Sequence, residues 1–451
     1  MIKNMFILFN ILIFGMSFFI FYNNIYMLQG VIILLVINFL YYYFFYKKKN
    51  VIFFIFALYI SILYIQYVLI YKNPIMFINF GINYYSLENV ENLMRSLYSA
   101  ILFFCVFFIT LYLLDQLKIK NFNIKSKVKK IRINIKPFYL LIIISIIEFL
   151  IRKKFNIAVP GKKLKIEIPY ITNLIYYSFI AIKLILLKKL INFSIVEQKN
   201  TFYSYIYIFI YSFPSILLGW RGSFFSIFNI FFLYNLIIMT SKKRRKFIIN
   251  TIILGFPIVT LSIFVASMIR GSALNKSSKL FHFLINRFIG WSDSIAIENY
   301  LNNGGKYAFN YLFEGKYPSI ASFYTIVVRG YPEGVIHANS RPIFSSLKLV
   351  YGNVAIVFGA IILSFLFYFL ENILKHNRYK YLEREVFLWV YVIYRSFEVV
   401  VFAGDFDSFI QQNFVLILVY LFVNSHIVFK IDHIIKIKVK IQNNIMFSAK
   451  S

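Results

Sequence analysis

Four arginines are the first candidates for chemistry in this otherwise oily chain: Arg221 in "GWRGS", Arg270, Arg329 in "RGYPEG" and Arg341. A charged side chain in or near a membrane is costly and needs a partner or a task. The guanidinium is always charged, weakly hydrated and forked, which suits bidentate contact with phosphate or carboxylate. Gly222 and Ser223, next to Arg221, free the backbone for close approach. Proton acceptors lie in the same part of the chain. His337 comes first, because an imidazole with an ordinary pKa of about 6.5 can take a proton near neutrality; Asp293 and Glu333 come second. Arg287, His282, Glu298 and Glu314 complete this polar set. Several forked cations beside a base describe a cavity for a polyanion, and arginines can neutralise a departing phosphate without a metal. No P-loop, H-E-x-x-H or dinucleotide fingerprint occurs, and no cofactor is expected. Cys105 is the only cysteine, which excludes an intrachain disulfide and a multi-cysteine zinc site. Asp405 and Asp407 in "AGDFDSF" read as turn residues, and Arg395 and Glu398 are spaced to pair on one helix face.

The elements that must position these residues are membrane spans. The chain is 60% hydrophobic and 21% aromatic, with its apolar residues in long blocks, well above the roughly 45–50% apolar content of soluble domains. This predicts an all-α polytopic membrane protein forming a single transmembrane domain over residues 1–451. About twelve spans of roughly 20 residues fit, near 5–22, 27–46, 51–71, 95–114, 137–151, 170–187, 202–219, 223–240, 247–268, 346–370, 385–403 and 410–429. The first block is longer than a signal-peptide core and lacks an A-x-A site, so it reads as a retained anchor.

The 49 Lys and Arg against 17 Asp and Glu give +32, most of it in connections between spans, so nucleic acid is not the expected partner. "KKK" at Lys47–Lys49, the run Lys118–Lys136, "KKRRK" at Lys242–Lys246, "KHNRYK" at Lys375–Lys380 and the basic C-terminal tail fall on one side of this scheme. The positive-inside rule makes that side cytoplasmic, with both termini inside. One basic stretch, Arg152–Tyr170, lands outside, after a short span carrying Glu148. A large extracytoplasmic segment, 268–345, lies between the ninth and tenth spans; its aromatic runs predict short interfacial helices. No internal repeat of the kind that marks many transporters is visible.

In "VVRGYPEGVIHANSRPIFSSLKLVYGNVAIVFGAIILSFLF", Arg, Glu, His and Arg close the long outer segment before a span punctuated by Gly352 and Gly359. With "GWRGSFFSIFNIFFLYNL" at the outer start of a middle span and the basic "FNIAVPGKKLKIEIPYITNLIYY" before the sixth, this order resembles the Wzy-type O-antigen and oligosaccharide repeat-unit polymerases. More loosely it is similar to the O-antigen ligases, although the separation of His337 from Gly352 is longer than in the ligase pattern.

The resemblance implies polymerisation of undecaprenyl-pyrophosphate-linked repeat units into O-antigen (the polysaccharide of lipopolysaccharide) or capsule at the outer face of the bacterial cytoplasmic membrane. Arg221, Arg270, Arg329 and Arg341 would hold the pyrophosphate, and His337, Asp293 or Glu333 would act as base. Membrane lipids, a chain-length regulator and a flippase are the implied partners. The competing readings are a ligase, a lipid-linked oligosaccharide flippase and a non-enzymatic scaffold. Another type of membrane glycosyltransferase ranks lower, because the first sizeable outer loop carries Glu88 and Glu91 but no paired Asp.

Overall fold

The computed structural model describes residues 11–12, 15, 20–21, 23–48, 51–72, 90–116, 131–133, 137–157, 169–192, 202–218, 223–238, 247–269, 291–314, 316–317, 320–330, 341–380, 386–402, 416–418, 420 and 427–429. These are overwhelmingly helical. The chain divides into two compact units: Met1–Phe122 with Leu233–Met239 and Ala273–Ile410, and Asn123–Phe232 with Thr240–Ser272 and Gln411–Ser451.

The first unit is built on α1 (Ile25–Lys48), α2 (Val51–Lys72), α3 (Val90–Gln116) and a later helix, Ile343–Lys380. All four contain stretches long and apolar enough to cross a membrane. They join through aromatic packing: Phe56 stacks on Phe107 at 4.4 Å and meets Phe367 and Phe397 edge-on at 5.7 and 5.3 Å. Such pairs add about 0.5–1.5 kcal/mol each beyond buried area. Two polar side chains of α1 are bonded to neighbouring helices. Asn38 donates to Ser61 Oγ at 2.9 Å, and the Tyr41 hydroxyl donates to the Phe104 carbonyl at 3.1 Å. The α1 start is capped by Asn24, whose Oδ1 accepts the Met27 N–H. The α2 start is capped from another helix, because Glu371 accepts the Val51 N–H at 3.2 Å, placing a carboxylate at the positive end of the helix dipole.

Inside the 268–345 segment lie α9 (Trp291–Asn302), α10 (Ala308–Phe313) and α11 (Ile320–Phe323), the last continuing into a π-helical turn, Tyr324–Val328. Then follow α12 (Ile343–Lys380) and α13 (Val386–Ser396), which runs on into a second π-helical stretch, Phe397–Phe402. The apolar run expected as one span from 346 to 370 is not straight. Tyr351 (φ −156°, ψ 41°) and Gly352 (φ 64°, ψ −152°) leave helical geometry and split α12 into limbs 343–350 and 353–380. Gly352 supplies the positive φ that a side chain resists. At Gly359 a Cβ would stand 2.5 Å from the Leu347 side chain. Twelve helical residues would separate these positions by about 18 Å in a straight helix, so the short limb doubles back along the long one.

The second unit contains α4 (Pro137–Phe155), α5 (Pro169–Asn192), α6 (Phe202–Leu217) and α8 (Phe256–Ile269), the last preceded by a π-helical turn, Thr251–Gly255. Helix α7 (Ser223–Ile238) begins in this unit. A short parallel ladder pairs Ile131–Ile133 with Ile427–Phe429. Helices α4, α5 and α6 pack against one another in all three combinations. Of the twelve expected spans, four correspond to helices with a long, low-charge apolar window among the described residues, all in the first unit.

Candidate functional site

The polar centre of the first unit forms around α9. Ser294 and Glu298 are one helical turn apart and so share a face, which meets a matching stripe on α3: Asn92, Ser96 and Ser99. Ser96 and Ser294 are joined hydroxyl to hydroxyl, and Ser345 at the start of α12 donates to Ser294 at 2.5 Å. Lys348 reaches both oxygens of Glu298 at 2.7 and 2.8 Å, and Ser99 donates to the same carboxylate at 3.2 Å. At the far end Asn92 donates to Asn299 and accepts from Asn302. This seam fixes the roll and height of α9, because apolar packing alone would tolerate sliding while these bonds would not.

Fixing α9 places Asp293 in its first turn, buried on the side of the π-helical turn. The Tyr324 hydroxyl donates to Asp293 Oδ1 at 2.5 Å, and Arg329 Nη1 stands 3.5 Å from the same oxygen. Arg341 comes from the chain entering α12. Its guanidinium lies over the Tyr324 ring at 5.0 Å and donates to the Ile320 carbonyl at 3.2 Å. Tyr324 also belongs to an apolar cluster with Ile297, Ala308, Phe323 and Leu349, which seals one side of the centre.

Burial pushes the Asp293 carboxyl above its ordinary range, and Arg329, the Tyr324 hydrogen bond and Arg341 only partly offset it. Tyr324 is raised well above an ordinary phenol, first by burial and then by the neighbouring Asp293 charge. The phenol is therefore held as a donor, and the Asp293 carboxyl holds its proton more tightly than one in water. Two forked cations, one proton acceptor and one phenolic donor meet at one place.

Of the expected site residues, Asp293, Arg329 and Arg341 are brought together here. Glu298 belongs to the adjoining seam, and Glu314 is exposed at the end of α10. Arg221, Arg270, Glu333 and His337 lie outside the described residues, as do His282, Arg287, Asp405 and Asp407. The Arg395–Glu398 pair expected from spacing is formed. Tyr324 and Lys348 were missed by sequence reasoning. The seam had a readable signal, a polar stripe at helical spacing (Asn92, Ser96, Ser99) opening an otherwise apolar span.

The second unit holds its own buried charges. Glu148 on α4 bonds Arg152 Nη1 at 3.0 Å and is ion-paired with Lys183 of α5. Arg152 also donates to Ser215 at 2.8 Å and lies over the Tyr176 ring. Lys183 donates to the Tyr211 carbonyl at 2.8 Å and faces that ring at 4.4 Å. Two cations thus share one carboxylate, with protein dipoles and ring faces solvating the remaining charge. No protein-family model, curated protein or solved structure matches the chain.

Proposed function

We propose that this membrane protein is a glycosyltransferase that polymerises undecaprenyl-pyrophosphate-linked oligosaccharide repeat units into surface polysaccharide at the outer face of the bacterial cytoplasmic membrane. In this reading the remaining apolar segments complete about twelve spans, both termini are cytoplasmic and residues 268–345 face outward. The carrying observation is the meeting of Arg329 and Arg341 with Asp293 around Tyr324. Two of the four arginines expected to hold pyrophosphate share a buried centre with one of the three expected bases.

The acceptor hydroxyl forms a C–O bond to the anomeric carbon of the donor unit. Its proton passes to Asp293, and the anomeric bond to the carrier lipid breaks, its electron pair leaving with the pyrophosphate. Arg329 and Arg341 take up the negative charge that develops on the leaving group, and Tyr324 orients the carboxylate.

The buried Glu148–Arg152–Lys183 cluster favours a second reading, a lipid-linked oligosaccharide flippase, since charges among apolar helices also mark transport pathways. Deleting the gene in its native host and resolving surface and lipid-linked glycans by gel separates the readings. Loss of the ladder with single repeat units at the surface is the expected result. Single units held on the cytoplasmic leaflet would establish the flippase, and polymer left on its carrier would establish a ligase.

A further inference from the structure

We propose that α10 and the bend of α12 form a dock for the membrane interface, with the rings of Tyr307, Phe309, Phe313 and Tyr351 seated at the headgroup level of a phospholipid bilayer. The dock does not depend on the polymerase reading. Helix α10 has two faces. One buries Ala308 and packs Tyr311 and Leu312 against the apolar cluster containing Tyr324. The other turns outward: Phe313 is 87% exposed, and Tyr307, Phe309 and Tyr351 are about half exposed. These four are connected, with ring centroids of Tyr307 and Tyr351 5.9 Å apart, Phe309 and Tyr351 5.8 Å, and Phe309 and Phe313 6.2 Å. Scattered exposed apolar residues are ordinary, but a contiguous aromatic patch marks a contact surface.

Continuity identifies the occupant. Below Tyr351 the same kind of surface runs on as Val354, Phe358, Ile362, Phe365 and Phe369, all more than half exposed and spaced three or four residues apart along one face of α12. On a helix apolar enough to span a bilayer, that stripe faces lipid tails. From 353 to 374 the limb rises about 33 Å at 1.5 Å per residue, against a hydrocarbon core of about 30 Å. The basic run from Lys375 follows at one end. The bend at Tyr351 and Gly352 therefore falls at the opposite edge of the hydrocarbon, where aromatic belts form because tyrosine keeps its ring in the apolar layer and its hydroxyl in water. Lys306 and Lys316, both exposed, flank α10 with Glu314, so the ends of the helix are polar while its outer face is not. Lysines at those positions suit the phosphates of the headgroups.

The test uses the full-length chain with Cys105→Ala, which removes the only cysteine, and one new cysteine by Phe313→Cys bearing a nitroxide label, in phosphatidylcholine and phosphatidylglycerol vesicles. Collision with oxygen, which partitions into lipid, is compared with collision with a water-soluble nickel chelate. Asn303→Cys, in an exposed turn, is the aqueous reference, and Phe358→Cys is the hydrocarbon reference. The ratio of oxygen to nickel collisions at 313 is expected to be several-fold above that at 303 and below that at 358, with Phe309→Cys behaving alike. A ratio equal to that at 303 overturns the dock. So does shielding from both reagents, which indicates a second copy on the patch, or protection that arises only when an oligosaccharide is added.

Discussion

The chemistry proposed for Arg329 and Arg341 depends on the fork of the guanidinium rather than on charge alone. Arg329→Lys keeps the charge and loses the second donor, and Arg341→Lys also loses the planar group over Tyr324. Each should reduce polymer formation by about a hundredfold, the scale of losing one charge-stabilising donor. A full-length glycan ladder in cells carrying either variant would remove that residue from the mechanism. Asp293 gives a second prediction, in pH. Its carboxyl is raised above its ordinary value of 3.8, so the folded state holds the proton more tightly than the unfolded state. The resulting stabilisation is full below that ordinary value and is lost as pH rises through the raised one. The melting temperature of the native chain minus that of Asp293→Asn should therefore fall from pH 4 upward and level off once Asp293 is ionised in both states. A difference that rises over that range would mean that Arg329 and Tyr324 outweigh burial.

Helices α9 and α12 are set by features that substitutions can isolate. Gly352→Ala must place a Cβ at a φ of +64°, with the Tyr307 hydroxyl 2.9 Å away, and should cost about 1–3 kcal/mol in detergent-solubilised unfolding. At Gly359 the obstacle is the flexible Leu347 side chain, so the cost of Gly359→Ala should largely disappear when combined with Leu347→Ala. The Glu298–Lys348 pair ties α9 to α12. Glu298→Leu or Lys348→Leu alone leaves one charge without its counter-ion and should cost about 3 kcal/mol, whereas the double leucine variant should recover most of that loss. A loss in the double variant equal to the sum of the two single losses would show that the two charges are not energetically coupled across the seam.

Across the described residues, four low-charge apolar helices in one unit fit a membrane protein, and the other unit carries a buried charged cluster on helices α4 and α5. The orientation proposed from the basic connections can be tested directly. In a Cys105→Ala background, Asn303→Cys should react with a membrane-impermeant maleimide added to intact cells from which any outer membrane has been permeabilised. Labelling only after the cytoplasmic membrane is lysed would invert the topology.

Composition and hydropathy determined the membrane class and the helical fold, because burying the backbone in lipid leaves few solutions and about 20 apolar residues per span is a length any reader can count. Residue type alone also singled out Asp293, Arg329 and Arg341, since charges are conspicuous in such a chain. What only the tertiary structure decided is which of them meet. Tyr324 looks like any other aromatic of an aromatic-rich sequence until a π-helical turn aims it at Asp293. Lys348 reads as a flanking cation until α12 doubles back at Gly352, which no hydropathy window registers because the turn leaves the apolar run unbroken. Hydrophobicity is a sum along the chain, whereas a site is a set of distances across it, and those distances are set by side chains far apart in sequence.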